Sequence, residues 1–321
     1  MPIIEVKNLK KYFPVTGGVF LRRTGWVHAV DDVSFTVNKG ETLGIVGESG
    51  CGKTTLGRCL MGLYDLTQGE VMVCNQRVTK LSSSQRRNLA AKLQMIFQDP
   101  FESLDPRQTV RQILEEKYRI HRQAGADLGA DILKLIDQVG LLPEALLKYP
   151  HEFSGGQRQR IGIARAISME PDIIVCDEPV SALDVSVQSK ILNLLLELQK
   201  RLGLTYIFIS HDLSVVRHIS DRIAVMYLGK IVEIAAASSI YNQAHHPYTK
   251  ALLSAIPIAD PGSHKKRTIL KGEVPSVENP PPGCRFNTRC EYAKNICRRT
   301  EPPLFANGKD SSHLTACHFF S

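Results

Sequence analysis

Short apolar runs alternate along the chain with stretches in which apolar residues recur every three or four positions. The runs predict strands and the recurring positions predict helices. The predicted strands cover residues 3–9, 33–37, 43–46, 69–74, 93–97, 173–176, 205–209, 223–227 and 230–234. One predicted helix follows residue 53, and the others cover 82–91, much of 109–147, 155–169 and 185–202. Residues 14–27 are predicted to form a loop. This alternation predicts an α/β sheet with helices packed on it.

Two changes along the chain suggest its domain organisation. The helical block between residues 97 and 154 interrupts the alternation, so we expect a helical subdomain at about 99–170. Beyond residue 235 prolines become dense and four of the eight cysteines appear. We therefore predict one domain over 1–235 and a small C-terminal extension over 236–321.

Composition narrows the class of protein only a little. The chain has 321 residues, is 43% hydrophobic and carries a net charge of +8, with a pI of about 9.0. No apolar run approaches the roughly 18–20 residues of a membrane span, and the N-terminus lacks the apolar core of a signal peptide. We expect a cytosolic or peripheral protein. The positive charge permits contact with nucleic acid or anionic lipid, but acidic residues are interspersed throughout.

A glycine-rich segment between a predicted strand and a predicted helix carries the first chemical signal. Residues 47–54 read GESGCGKT and match the pattern G-x-x-x-x-G-K-[ST]. In such a loop the backbone N–H groups surround phosphate oxygens, Lys53 reaches the β- and γ-phosphates, and the Thr54 hydroxyl binds Mg²⁺. The alternative is a glycine-rich turn with a solvated lysine. The predicted nucleotide contacts in this segment are Gly47, Ser49, Gly50, Cys51, Gly52, Lys53, Thr54 and Thr55.

Two adjacent carboxylates end the apolar strand at 173–176. Neighbouring side chains of a strand point to opposite faces, so Asp177 and Glu178 can have different roles. We predict that Asp177 holds Mg²⁺ and that Glu178 is the general base that orients the attacking water. The alternative is a pair of acids that caps a buried strand.

A third signal opens the helix at residue 155. Ser154, Gly155, Gly156 and Gln157 place a serine and two glycines at a helix N-terminus, where exposed N–H groups form an anion site. Ser-Gly-Gly-Gln upstream of an apolar-Asp-Glu strand resembles the signature motif of ABC-type ATPases. The usual first residue of that motif is Leu, whereas this chain has Phe153, which is also apolar and could anchor the motif.

Other segments resemble further motifs of that family in the expected order. Gln98 resembles the Q-loop glutamine, which contacts the metal and the attacking water. Residues 181–184 (SALD) resemble the D-loop, and His211 resembles the switch histidine that contacts the γ-phosphate. Tyr12 or Phe13 resembles the aromatic residue that stacks on adenine, and the alignment favours Phe13. The resemblance covers about residues 3–235.

The resemblance implies an ABC-type ATPase cassette, in which a phosphate-loop core sheet carries a helical subdomain. Two cassettes of this family dimerise head to tail, and each ATP lies between the phosphate loop of one and the signature motif of the other. Ser154 and Gly156 would thus serve the nucleotide of the partner cassette. The resemblance also implies catalytic roles for Lys53, Gln98, Glu178 and His211, metal binding by Thr54, Gln98 and Asp177, and nucleotide contacts from Phe13, Ser154, Gly155, Gly156, Gln157 and Asp184.

Four blocks resemble the ATPase subunits of oligopeptide and dipeptide importers. They are 98–106 (QDPFESLDP), 179–186 (PVSALDVS), 246–253 (HPYTKALL) and 270–276 (LKGEVPS). They imply an F-type subunit of a bacterial peptide importer at the cytoplasmic face of the membrane. Its expected partners are a second ATPase subunit in a heterodimer, two permease subunits and a substrate-binding protein, with no nucleic acid. Nickel importers share these blocks and are the closest alternative, and HPYT alone could be a plain helix start with Pro at its first position.

The last four cysteines have the spacing C-x5-C-x6-C-x19-C. Similar peptide-importer subunits carry a [4Fe–4S] cluster here, which implies Cys284, Cys290, Cys297 and Cys317 as its ligands. Zinc is the first alternative, although structural zinc sites usually show closer cysteine pairs. Free thiols are the second.

Two further classes of ABC ATPase are less consistent with this sequence. Soluble ATPases that act on DNA or ribosomes carry a coiled coil or zinc insertion within the cassette, or two cassettes in one chain; neither is visible here. A degenerate cassette that only regulates would not be expected to retain Lys53, Asp177, Glu178 and His211. We therefore expect an active transport ATPase.

Overall fold

The computed structural model describes residues 2–17, 22–99, 103–121, 127–256, 270, 272–307 and 310–319. Its strands are β1 (Pro2–Gly17), β2 (Arg22–Asn38), β3 (Thr42–Val46), β4 (Gln68–Val73), β5 (Gln76–Arg77), β6 (Leu93–Ile96), β7 (Ile173–Asp177), β8 (Thr205–Ser210), β9 (Arg222–Tyr227), β10 (Lys230–Ala236), β11 (Phe305–Asn307) and β12 (Asp310–Thr315). Its helices are α1 (Lys53–Leu60), α2 (Ser83–Lys92), α3 (Val110–His121), α4 (Leu128–Gln138), α5 (Gly155–Ile167), α6 (Val185–Leu202), α7 (Leu213–Ile219), α8 (Ala237–Gln243) and α9 (Pro247–Ser254).

These elements form two compact units. The first consists mainly of residues 80–209 with the short segment 38–41, and the second of the described residues within 3–37, 42–79 and 210–321. The domain boundary that we place near residue 235 falls at the end of β10 and stays a prediction. Among the described residues, no helix combines the length and the apolar character needed to cross a membrane.

The first unit is built on parallel strands in the order β8-β7-β6. Ile96 pairs with Cys176 in β7, and Cys176 pairs in turn with Phe208 in β8. Every residue of these strands is buried, as expected of a parallel sheet covered on both faces. The apolar runs in the sequence predicted these strands correctly. Helices α2 to α6 belong to the same unit, and α6 ends at Gly203 as predicted.

The second unit contains two strand arrays. One has the order β2-β1-β4-β5, in which β4 is antiparallel to β1 and to β5. The other runs β11-β12-β10-β9-β3, in which β3 and β9 are parallel and the remaining pairs are antiparallel. The predicted hairpin around Leu228 and Gly229 is confirmed, because β9 and β10 pair directly across that turn.

The predicted loop over residues 14–27 was wrong where the structure describes it. β1 continues to Gly17 and β2 already begins at Arg22. The hydroxyl of Thr24 donates a hydrogen bond to the carbonyl of Val15, so the two strand ends contact each other. Most side chains in this extension are exposed or half-buried. An exposed strand needs no apolar alternation, and the glycines and basic pair therefore concealed it.

A carboxylate inside β10 anchors the second unit. Glu233 is fully buried, and its Oε1 accepts hydrogen bonds from the His245 N–H and from His313 Nε2, both at 2.7 Å. Its Oε2 accepts one from the His246 N–H at 3.1 Å. Burial by itself would raise the pKa of Glu233, but the hydrogen bonds from His313 and the His245 backbone hold that pKa below its usual value. Glu233 thus ties β10 to β12 and to the segment before α9.

We expect Glu233→Gln to lower the free energy of unfolding at pH 7 by about 1–3 kcal/mol, because an amide leaves buried donors without an acceptor. The folded-state pKa is lowered, so the stabilisation exists above the unfolded-state pKa of about 4.3. It is lost as the pH falls through the folded-state pKa. Urea denaturation at several pH values measures the difference, with the exposed Glu144→Gln as control. Equal stability of the two variants at pH 7 would contradict the anchoring role.

Candidate functional site

The glycine-rich segment connects β3 to α1 in the second unit, as the sequence predicts. Helix α1 begins at Lys53, and Gly52 before it adopts a left-handed backbone with φ of 105°. The amide of Gly229 donates to the Cys51 carbonyl at 2.9 Å, which holds the loop against the β9–β10 turn. Burial raises the pKa of the Cys51 thiol, so at neutral pH this side chain is a packed, neutral group.

Two glycines of the loop lie where a side chain has no room. A Cβ atom on Gly47 would lie 2.1 Å from the Met226 carbonyl oxygen, and one on Gly52 would lie 2.0 Å from that of Ala29. A Cβ on Gly50 would meet nothing within 4 Å. Both obstructing atoms belong to the backbone and cannot rotate away. The spacing of Gly47 and Gly52 is therefore set by close backbone contacts with β9 and β2.

Lys53 turns back over the loop. Its Nζ donates to the carbonyls of Gly47 at 2.8 Å and Glu48 at 3.0 Å, and the residue is 5% exposed. A buried ammonium needs such acceptors. Thr54 and Thr55 follow in the first turn of α1 and are half-buried, whereas Ser49 and Gly50 are exposed. The loop thus presents a helix N-terminus and a held lysine, which is the arrangement of an anion site.

The two neighbouring aromatic residues near the N-terminus, Tyr12 and Phe13, make different contacts. The Tyr12 hydroxyl donates to Asp31 at 2.5 Å, and its ring lies 4.3 Å from His28. Phe13 contacts Tyr64 edge-on at 5.3 Å and is half-buried. Both residues thus have partners within the unit, and the adenine-stacking role of Phe13 stays a prediction.

His211 directly follows β8 and is exposed. The next residue, Asp212, caps α7 by accepting from the Ser214 N–H at 2.8 Å. The histidine therefore immediately precedes the capped start of α7.

The first unit brings Gln98 and Glu178 together. Gln98 lies two residues beyond Ile96 in β6, and Glu178 lies two residues beyond Cys176 in β7, so the register of the parallel pair aligns them. Gln98 Nε2 donates to Glu178 Oε2 at 3.1 Å. The two residues that the sequence predicts to act on the attacking water are therefore neighbours.

Glu178 is held in an unusual backbone conformation. Its φ is +47°, which is uncommon outside glycine and is often found at functional sites. Its N–H donates to the Ile209 carbonyl at 3.0 Å, and its own carbonyl accepts from the Ser181 hydroxyl at 3.1 Å. Asp177, directly before it, is 2% exposed. The turn after β7 thus separates a buried carboxylate from a half-buried one.

The signature-like segment begins α5 in the same unit. Ser154 is the N-cap, and it forms a capping box with Gln157 in which each residue accepts from the other's backbone N–H. Phe153 is 8% exposed, which agrees with an anchoring role for this replacement of the usual leucine. The helix start that the sequence predicts is therefore confirmed.

The glycines of this segment pack against the D-loop segment and the first turn of α6. A Cβ on Gly156 would lie 2.5 Å from a methyl of Val187, and one on Gly155 would lie 3.3 Å from Leu183. Asp184 caps α6 by accepting from the Val187 N–H at 2.9 Å, and this bond lowers the pKa of the aspartate. The starts of α5 and α6 therefore lie side by side, with exposed polar groups at Ser154 and Asp184.

The four C-terminal cysteines lie close enough to influence one another. The Cys284 N–H donates to the Cys297 carbonyl at 2.8 Å. The pKa of Cys284 is raised to about 12, mainly by burial and to a smaller extent by the electrostatic influence of the neighbouring Cys297, Cys317 and Cys290. Residues spread over the extension thus bring their thiols within electrostatic range of Cys284.

A different group has the tightest arrangement of possible metal ligands among the described residues. One ligand atom each from Glu233, His245 and His313 lies within 4.8 Å of the other two. The carboxylate already accepts hydrogen bonds from His313 and from two backbone N–H groups. The His245 and His313 rings are stacked at 4.1 Å. We assign this group the structural role described above. A single glutamate within an otherwise apolar strand is the sequence feature from which this role could have been predicted.

Four positions of the sequence blocks that resemble peptide-importer subunits lie outside the described residues. These positions are Pro100, Phe101 and Glu102 of the 98–106 block and Lys271 of the 270–276 block.

Comparisons with known proteins agree with these features. Residues 30–181 match the family model described as "ABC transporter", and residues 232–297 match "Oligopeptide/dipeptide transporter, C-terminal region". The oligopeptide transport ATP-binding protein AppF of Bacillus subtilis is 51% identical over 99% of this chain and 98% of its own length. The corresponding OppF of Haemophilus influenzae is 47% identical over 98% of this chain and 96% of its own length.

Solved structures support the fold independently. The ATP-binding cassette MJ0796, determined as a dimer in a post-hydrolysis state with ADP and Pi, matches with a TM-score of 0.64 and 28% identity. The match covers 73% of this chain and 98% of that cassette. The predicted α/β fold of an ABC-type ATPase cassette is confirmed.

Gly52 and Gly50 provide a matched pair for testing the tight packing of the loop. Both have left-handed backbones, with φ of 105° and 76°, but only a side chain at residue 52 meets backbone. We expect Gly50→Ala to lower the free energy of unfolding by about 1 kcal/mol, and Gly52→Ala by about 3 kcal/mol or more, because overpacking adds to the strain. Denaturant titration measures both values, and equal losses would contradict the packing argument.

Proposed function

Because the chain belongs to the ABC transporter family of oligopeptide transport ATP-binding proteins, we propose that it energises import of di- and oligopeptides by hydrolysing ATP. The observation that carries this proposal is the match to named oligopeptide ATP-binding proteins over nearly the whole chain, including the C-terminal region. Those relatives do not favour nickel as the cargo.

The phosphate loop binds the triphosphate of ATP in this proposal. Backbone N–H groups at the start of α1 and the ammonium of Lys53 neutralise the phosphate charge, and Phe13 stacks on the adenine. The hydrogen bonds from Lys53 to the carbonyls of Gly47 and Glu48 support this role, because they keep the ammonium at the loop. The remaining predicted contacts come from Ser49, Gly50, Cys51, Gly52, Thr54 and Thr55.

Three oxygen-bearing side chains would hold Mg²⁺. Thr54, Gln98 and Asp177 supply a hydroxyl, an amide carbonyl and a carboxylate, which are the hard donors that this ion prefers. When bound, Mg²⁺ neutralises charge on the β- and γ-phosphates.

Glu178 is the proposed general base. It takes a proton from the attacking water as the water oxygen bonds to the γ-phosphorus and the bond from that phosphorus to the β–γ bridging oxygen breaks, which releases phosphate and ADP. The hydrogen bond from Gln98 orients its carboxylate and leaves the amide near the same water. His211 contacts the γ-phosphate in this proposal. The fixed turn around Glu178 supports a positioned base rather than a mobile surface acid.

The signature-like segment would serve a second cassette. Ser154, Gly155, Gly156 and Gln157 present a capped helix N-terminus, and Asp184 lies at the start of the adjoining helix. We propose that these groups close on the nucleotide of a partner ATPase subunit in a heterodimer. The pair would work at the cytoplasmic face of the membrane with two permease subunits and an extracytoplasmic substrate-binding protein.

A [4Fe–4S] cluster on Cys284, Cys290, Cys297 and Cys317 is part of the proposal. Thiolates are suitable ligands for such a cluster, and the mutual proximity of the four thiols supports it. The cluster would cross-link the proline-rich extension. Zinc on the same four cysteines is the alternative.

We expect Glu178→Gln to bind MgATP with wild-type affinity but to hydrolyse it at least about 100-fold more slowly, because the base is lost. Phosphate release and equilibrium ATP binding measure the two properties. Glu197→Gln, an exposed carboxylate of α6, is the matched control and should hydrolyse normally. Wild-type turnover by Glu178→Gln would remove Glu178 from the mechanism.

We expect anaerobically purified protein to contain about four iron and four sulfide ions per chain with a broad visible absorbance. Cys290→Ser should lose most of this iron, whereas Cys74→Ser, outside the four-cysteine set, should keep it. Elemental analysis and absorption spectra test this directly. One zinc without sulfide would replace the cluster by the zinc alternative, and metal-free protein would exclude both.

A further inference from the structure

Residues 284–290, here called the cysteine loop, contact the second unit through the side chains between its two cysteines. Arg285 is 8% exposed and donates to the Leu228 carbonyl and to the Asp31 carboxylate. Asp31 is itself 8% exposed. A buried guanidinium with a carboxylate and a carbonyl fixes the first half of the loop.

An aromatic cluster holds the middle of the cysteine loop. Phe286 is 2% exposed, and its ring lies 5.3 Å from that of Tyr227 and 5.4 Å from that of Tyr248. The two tyrosine rings are 4.7 Å apart. Tyr227 ends β9 and Tyr248 lies in the first turn of α9, so these three rings join the loop to both elements.

Arg289 reaches from the cysteine loop to the phosphate loop. Its Nη1 donates to Glu48 Oε2 at 2.7 Å, and its Nη2 donates to Glu48 Oε1 at 3.1 Å. The side chain of Arg289 is 7% exposed and that of Glu48 is 26% exposed. A shielded bidentate pair fixes both partners in position as well as in charge.

Glu48 is the residue directly after Gly47, and it is held through its backbone as well. Its N–H donates to the Tyr248 hydroxyl at 2.9 Å, and its carbonyl accepts from Lys53 Nζ at 3.0 Å. One residue of the phosphate loop is thus fixed by Arg289, by Tyr248 and by the lysine that is proposed to bind phosphate.

We propose that the cysteine loop positions the phosphate loop, with Arg289 acting as a positioning residue through Glu48. This inference rests on the proposed ATP site. A loop already held in its binding conformation loses less conformational entropy when ATP binds, which increases the affinity. The cysteine-bearing extension is therefore part of the nucleotide site's support.

The first test is the dissociation constant for MgATP of the full-length chain, measured by calorimetry. Arg289→Gln is expected to weaken binding about 10-fold, because the phosphate loop must then be ordered at the cost of binding free energy. Arg299→Gln, an exposed arginine of the same extension, is the matched control and should bind as wild type does. Unchanged binding by Arg289→Gln would overturn the proposal.

Arg289→Lys separates positioning from simple charge attraction. Lysine keeps the positive charge but cannot make the bidentate pair. Positioning predicts that this variant also binds MgATP several-fold more weakly than wild type. Wild-type affinity for Arg289→Lys would show that charge alone acts, and would overturn positioning. If Arg289→Gln unfolds below the assay temperature, the Arg289→Lys variant alone tests the proposal.

A double-mutant cycle tests whether Arg289 acts through Glu48. Introducing Arg289→Gln into a Glu48→Gln chain should weaken MgATP binding much less than introducing it into the wild type. Independent effects that simply add would show that Arg289 acts by another route.

Hydrogen exchange tests the reciprocal effect. Coupling between two sites acts in both directions, so saturating MgATP should slow amide exchange in residues 284–290 and leave 295–299 unchanged. Arg289→Gln should abolish this protection. Equal protection in wild type and Arg289→Gln would contradict the proposal. Wild-type protein that is folded but binds no MgATP would overturn the proposed ATP site and this inference together.

Discussion

The phosphate loop is confined between two backbone carbonyls, and this confinement governs the candidate site. Gly47 approaches the carbonyl of Met226 at the end of β9, and Gly52 approaches that of Ala29 in β2. Neither contact leaves room for a side chain, so the loop follows a single path between β3 and α1. That path sets where α1 begins and hence where Lys53 and the helix N-terminus are presented. The glycine pattern in the sequence thus reflects close backbone packing as well as phosphate binding.

The C-terminal extension contacts the same loop. The hydroxyl of Tyr248, within the HPYT segment, accepts the N–H of Glu48, and Arg289 binds its carboxylate. Glu233 fixes the segment that leads into the helix bearing Tyr248. The extension and the phosphate loop therefore form a continuous network of hydrogen bonds inside one unit. This network ties the part of the extension that follows β10 to the phosphate loop.

Local patterns predicted the parts of the molecule that depend on local chemistry. Apolar runs predicted the parallel strands β6 and β7, and a serine followed by glycines predicted the start of α5. The register that brings Gln98 beside Glu178 is seen only in the structure. The strands at 14–17 and 22–27 were missed because exposed strands lack an apolar alternation. The pair between Arg289 and Glu48 was missed because two charged residues far apart in sequence leave no periodic signal. Only the folded chain shows that they meet.

The most direct test of the central claim is ATP-driven uptake into membrane vesicles that contain this chain together with the proposed partner ATPase, permease subunits and substrate-binding protein. Radiolabelled oligopeptide and ⁶³Ni²⁺ are offered in parallel, with wild type and Glu178→Gln compared. The account predicts that peptide accumulates only with ATP and wild-type protein, and that nickel does not accumulate. Nickel uptake without peptide uptake, or peptide uptake that is unaffected by Glu178→Gln, would contradict it.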